Sequence, residues 1–473
     1  MSVRAPAALV LPFAVAAALS GCSSSPAAEE APASAGARLY DGFGNYARPI
    51  TTSSPEAQRW FDQGLQLLYG FNHDEAIRSF ARAAELDPGC AMASWGVAYA
   101  HGLHINNPAM SEKASNAAWA ASREALARLD DESPVEQALV RAVAQRYAQS
   151  PPEDRTSLDE TYAAAMGEAF HAFPLDPDVG ALYAESLMNL QPWDLWTHAG
   201  EPKGRTLEIV AVLEEVLARH PRHPGANHFY IHTVEASREP ERALAAAEAL
   251  SDLVPGSGHL VHMPSHIWIR TGDYVRAAQT NARAIAADGA YFAVAPAPDF
   301  YSLYFVHNIH FLAYASMMNG DRASALEAAE QLERELPPEF VENYVRIADG
   351  LTPLGLHVYI RFGDWREILR VPDYPEHRLA ARAMRHYARA LALANLGETA
   401  AARREQDAFE RVAAQMDESW SFGNNPAPSV LAIAGEVIEG EILFKQGERT
   451  RGIERLQRAA ELEDEQIYDE PPG

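Results

Sequence analysis

Histidines at helical spacing are the residues best placed to do chemistry. The stretch GHLVHMPSHIWIR, Gly258 to Arg270, sets His259, His262 and His266 three and then four residues apart. Residues so spaced share one face of a helix. HFYIH, upstream, carries His228 and His232, and HNIH, downstream, carries His307 and His310. Imidazole is the commonest metal ligand, and several imidazoles with a carboxylate suit Zn, Cu, Fe, Ni or Mn. Glu235, one turn beyond His232, offers that carboxylate. A mononuclear catalytic site needs about three protein ligands. More than five histidines therefore imply two metals, or some rings that act on a substrate. The sequence holds no H-E-x-x-H, no glycine-rich phosphate loop and no G-x-S-x-G, which excludes a zincin and gives no support to phosphate binding or a serine hydrolase.

The elements that must position these rings follow from an internal repeat. Ala57 to Cys90, AQRWFDQGLQLLYGFNHDEAIRSFARAAELDPGC, matches the 34-residue tetratricopeptide pattern. Trp60, Gly64, Leu67, Ala76, Phe80, Ala83 and Pro88 stand at repeat positions 4, 8, 11, 20, 24, 27 and 32. Small residues at 8 and 20 let two antiparallel helices approach closely, and proline ends the second. Weaker copies cover 224–257, 258–291, 306–339, 349–382, 383–416 and 433–466. No window alternates with period two, so no sheet is expected. The fold predicted is all-α: a tetratricopeptide-like α-solenoid, a right-handed superhelix of roughly nine or ten antiparallel helix pairs, running over 38–473.

In such repeats, positions 2, 5 and 9 of the first helix line a concave face. His228 and His232 fall at 5 and 9 of one repeat, His259, His262 and His266 at 2, 5 and 9 of the next. His307 and His310 fall at 2 and 5 of a third, with Tyr314 at 9, and His357 takes position 9 of a fourth. Eight of the 17 histidines thus point at one face. Neighbouring helices pack about 8–10 Å apart, close enough for imidazoles in register to share a centre. His228, His232, His262 and His266 are the expected inner ligands, with His259, His307, His310 and Glu235 as further ones. The ion, Zn, Cu, Fe or Mn, fits either a structural role or metal-activated water or oxygen chemistry. A polar groove that captures a peptide or partner protein without catalysis fits the same ladder, and so does a purely structural set of rings.

Other candidates are less specific. AESLMNLQPWDLW, Ala184 to Trp196, offers Glu185 and Asp194 as supporting groups, although two tryptophans at a helix end usually serve packing. GLHINNP, Gly102 to Pro108, is a polar loop with His104, Asn106 and Asn107, and its simplest reading is a turn. His73, His101, His171 and His386 read as single packed or hydrogen-bonded rings, and Cys90 as a buried thiol.

The chain has 473 residues and a formal charge of −26, which argues against nucleic acid as a partner. Its first residues carry one basic group, Arg4, then an apolar run to Leu19, the pattern of a signal peptide over 1–21. Leu19-Ser20-Gly21-Cys22 resembles the bacterial lipobox, which implies cleavage before Cys22 and lipidation of its thiol. Residues 22–37 are small, polar and proline-rich, a flexible tether. The expected location is the cell envelope, lipid-anchored and facing the periplasm, with Ser23 favouring the outer membrane. Once Cys22 is lipidated only Cys90 remains, so no internal disulfide is expected. Taken together, SPEAQRWFDQGLQLLYGFNHDEAIRSF, CAMASWGVAYAHG, HPGANHFYIHTVEAS, GHLVHMPSHIWIRTGDY and HNIHFL resemble a group of exported bacterial tetratricopeptide proteins over about Ser54 to Asp469. The resemblance implies fold and export rather than a reaction. It departs at Gly102-Leu103-His104-Ile105-Asn106, where only Gly102 and Asn106 match a Gly-Pro-Asn-x-Asn loop.

Overall fold

The computed structural model describes residues 33–129, 131–295, 300–336, 338–466 and 468. Cys22, the signal segment and most of the tether lie outside the described residues. Helices account for nearly all the regular structure. They are α1 Pro55–Tyr69, α2 His73–Leu86, α3 Ala91–Ala100, α4 Glu112–Leu126, α5 Pro134–Val143, α6 Thr156–Ala172, α7 Pro177–Met188 and α8 Thr206–Arg219. There follow α9 Pro224–Val234, α10 Leu244–Leu250, α11 Gly258–His262, α12 Pro264–Arg270, α13 Tyr274–Phe292, α14 Ser302–Asn319 and α15 Arg322–Glu335. The last are α16 Pro338–Asn343, α17 Val345–Ala348, α18 Leu354–Phe362, α19 Trp365–Ile368, α20 Leu379–Asn395, α21 Thr399–Ala413, α22 Ala427–Lys445 and α23 Arg449–Asp464. Where no sheet was expected, the described residues hold one hairpin of two-residue strands, Ser421–Phe422 against Asn425–Pro426. The protein is an all-α, tetratricopeptide-like helical repeat.

The repeat positions show why these residues make close helix pairs. A Cβ on Gly64 would lie 2.7 Å from the Phe80 ring, and one on Gly96 2.4 Å from it. Gly64 of α1 and Gly96 of α3 therefore clasp one phenylalanine of α2. Ser54 and Asn72 cap α1 and α2 by accepting the N–H groups of Ala57 and Glu75.

The chain divides into two compact units. The first runs to Ile267 and takes in Ala286–Ser302. Within it α1 packs on α9 as well as on its sequence neighbours. The second comprises Trp268–Ile285 and the chain from Leu303. One of its cores joins Ile309, Ala325, Leu332 and Val358, and another joins Phe409, Leu431, Ile438 and Ile442.

The histidine stretch is not one helix. α11 ends at His262 and α12 starts at Pro264, with Met263 between. Proline has no N–H to donate to the preceding turn and its ring crowds the carbonyl there. His262 and His266 stay in contact across the break, with their Nε2 atoms 2.7 Å apart.

Candidate metal centre

α1 ends at Tyr69, and the last carbonyls of a helix have no partner within it. The Tyr69 carbonyl accepts from outside: His228 Nδ1 donates to it at 2.7 Å. Gly225, one turn earlier on α9, permits the approach, since a Cβ there would lie 2.3 Å from Tyr69 Cδ1. A carbonyl can only accept, so His228 carries its proton on Nδ1 and presents the lone pair of Nε2. That Nε2 lies 3.1 Å from His259 Nε2. His259 is set by its backbone as well: its N–H donates to Tyr301 Oη at 3.1 Å, and Tyr301 donates to Asp288 at 2.9 Å.

His232 is held in a similar way. Its Nδ1 lies 2.8 Å from Glu235 Oε1, while its Nε2 is buried with no hydrogen-bond partner among the described residues. One ring nitrogen from each of His228, His232 and His259 lies within 4.8 Å of the other two. These rings are at most 4% exposed. Glu235 spends its second oxygen on His266 Nδ1 at 2.6 Å, and His266 Nε2 lies 2.7 Å from His262 Nε2. Ser265 Oγ stands 3.3 Å from His262 Nδ1.

Glu235, expected as a ligand, has each carboxylate oxygen on a histidine Nδ1, the orienting place that carboxylates take behind metal-bound imidazoles. His259, expected as an additional ligand, lies in one group with His228 and His232. His307, His310, Tyr314 and His357 belong to the second unit. Glu185 belongs to a different buried network: it accepts from Tyr99 Oη at 2.6 Å and from the Asn189 amide. Asp194 pairs with Lys203 at the surface. Asn106 lies in its polar loop with Oδ1 buried and no hydrogen-bond partner among the described residues.

The electrostatics favour neutral rings. Burial first, then neighbouring imidazoles, holds His228 and His259 well below the ordinary histidine range. Burial lowers His232 too, against the opposing pull of Glu235. A neutral imidazole has a lone pair to give, so the three rings are in the protonation state that metal ligation requires.

Several aromatic residues complete the site. Phe71 centres its ring 4.2 Å from His104, 4.5 Å from His228, 5.6 Å from His259 and 6.2 Å from His232. Trp193 meets His232 edge-on at 5.2 Å. Phe71 and Trp193, at φ 55° and 63°, are the non-glycine residues with positive φ among the described residues. That backbone region costs a bulky side chain roughly 1–3 kcal/mol and clusters at functional sites. Phe71 stands at repeat position 15. Five other repeats place Gly272, Gly320, Gly363, Gly397 and Gly447 at that position, all with positive φ. Phenylalanine here thus replaces the residue the turn prefers, and its ring lies among the histidines.

His104 stands in a turn, as its loop pattern predicts, with backbone hydrogen bonds exchanged with Asn107 at 3.2 and 2.8 Å. It is 2% exposed, it stacks on Phe71, and its Nδ1 has no hydrogen-bond partner among the described residues. Nothing in a loop's local pattern shows that contact. His73, beside it at 4.5 Å, is pushed down to about 3 by burial and by the Arg146 charge.

Asp178 ties the first unit together beneath the site. Its carboxylate accepts from Tyr46 Oη at 2.8 Å, Tyr69 Oη at 2.5 Å and Arg48 at 2.7 Å, and faces His223 Nε2 at 3.2 Å. His223 also caps α9, accepting the Ala226 N–H on Nδ1 at 3.0 Å. The end of α1 and the start of α9 are therefore fixed by one buried carboxylate.

No protein-family model matches the chain, and no curated protein does. Among solved structures it is similar to the human IFIT1 dimer with m7Gppp-AAAA, at 13% identity over 87% of this chain and 91% of that one, TM-score 0.36. Yeast Tom70 is similar at 9% identity over 87% and 86%, TM-score 0.34. The APC/C hetero-tetramer Cut9–Hcn1 is similar at 14% identity over 85% and 76%, TM-score 0.31. At these values nothing about ligands or partners transfers to this chain.

Proposed function

We propose that the first unit binds a transition-metal ion, Zn, Cu, Fe or Mn, on ring nitrogens of His228, His232 and His259, and that the chain is a metal-binding helical-repeat protein of the cell envelope. One observation carries the reading. Three buried neutral imidazoles bring a nitrogen each within 4.8 Å of the others. The Nδ1 atoms of His228 and His232 are held by the Tyr69 carbonyl and the Glu235 carboxylate. Metal-bound histidines use such acceptors to fix tautomer and ring orientation. Three protein nitrogens also leave a position for water or substrate, as in catalytic sites. The peptide-groove reading is less well supported at these rings, since His228, His232, His259, His262 and His266 are each at most 4% exposed. Export and anchoring through a lipidated Cys22 rest on the lipobox-like string alone.

Metal analysis of the full-length chain, purified in detergent without a histidine tag and reconstituted with each metal, tests the proposal. A stoichiometric ion is expected, lost in a His228→Ala/His232→Ala variant. Glu235→Gln should weaken binding roughly 10–100-fold, the usual cost of removing an orienting carboxylate. Substoichiometric metal under every reconstitution would overturn the reading.

A further inference from the structure

A narrow pocket reaches His232, one of the three candidate ligands. Ile105, Met188, Trp193, Leu195, Trp196 and Ala236 form its walls, and it ends on His232 and Glu235. Its enclosed volume is ≈ 10 Å³, near the lower limit for one water molecule. The walls are firm. Trp196 donates its indole N–H to the Thr233 carbonyl at 2.7 Å. Leu195 and Ile105 are at most 6% exposed. Trp193 is held in its positive-φ conformation with its ring edge on His232, the residue whose Nε2 is buried without a hydrogen-bond partner among the described residues.

We propose that this pocket is the access route to the three-histidine centre and admits exogenous ligands of one or two heavy atoms, water or a neutral diatomic such as nitric oxide or dioxygen. The inference rests on the metal reading above and adds to it the class of molecule the ion meets. Size selects against organic substrates, since a volume near that of one water holds no molecule of many heavy atoms. Wall chemistry selects against charged ligands. Indole, thioether and aliphatic groups cannot replace the water an ion would lose on entering, whereas a neutral diatomic loses little. Trp193 is the sizing residue: glycine at 193 would adopt the same backbone angle without strain and remove an indole ring from the pocket wall.

The test uses the full-length chain in detergent loaded with Co(II), whose visible d–d bands report on its ligands. Nitric oxide should shift those bands and imidazole, with five heavy atoms, should not. In Trp193→Gly both should shift them. Bands unmoved by nitric oxide, or moved by imidazole in the unaltered protein, would overturn the access assignment while leaving the metal reading intact. Failure to take up Co(II) or any other ion would instead overturn the metal reading, and the pocket's assignment with it.

Discussion

Phe71 concentrates the physics of the site in one residue. Its backbone sits where glycine is preferred, and its ring, 2% exposed, lies among five histidines. Truncation to alanine should cost about 3–5 kcal/mol in lost packing while the backbone strain persists. Truncation to glycine loses the same ring but releases the strain. Phe71→Gly should therefore be more stable than Phe71→Ala by about 1 kcal/mol, the reverse of the usual order. Denaturant unfolding of the two variants decides it, and equal or inverted stabilities would remove the strain argument. A repeat alignment already exposes this residue, as a phenylalanine in a column of glycines. Which groups its ring would touch is not visible there, because His228 and His259 follow it by more than 150 positions.

At the scale of elements, the site depends on how helix ends meet. The face shared by His228 and His232 on α9 was legible in the sequence because helical spacing dictates it. The helix pairs near 57–90, 306–339, 383–416 and 433–466 were legible for the same reason. The pairing of α1 with α9 was not, since it depends on Gly225 accepting Tyr69 and on Asp178 gathering Tyr46, Arg48, Tyr69 and His223. Nor was the turn at Met263, although Pro264 was its visible cause. Burial works against the Asp178 charge, yet the His223 hydrogen bond and the Arg48 charge outweigh it and hold the carboxyl below its usual range. A depressed folded-state pKa stabilises above the unfolded value, near 3.9, and that stability is lost as pH falls through the folded value. Asp178→Asn should cost about 3 kcal/mol at neutral pH by leaving Arg48 buried without its main counter-charge. It should also flatten the loss of stability below about pH 4. Urea midpoints of both proteins between neutral and acid pH measure this, and parallel pH profiles would contradict it.

For the molecule as a whole, a bound ion would act on folding as well as on chemistry. A ligand that binds only the native state adds about 2.7 kcal/mol at a hundredfold excess over its dissociation constant. Calorimetry of the full-length chain should show a metal-dependent rise in a single transition, absent in His228→Ala/His232→Ala. A rise of equal size in that variant would place the binding elsewhere. The bond from His228 to Tyr69 spans 159 positions, and that separation has a kinetic side. Contacts so distant in sequence close late, after the loops between them have surrendered their entropy. Small zinc modules gather their ligands locally and let the ion start the fold. Here the proposed ligands lie on α9 and α11, but the Tyr69 carbonyl that orients the His228 ring comes from α1, so a bound ion would meet that ring in its final orientation only once α1 and α9 have paired.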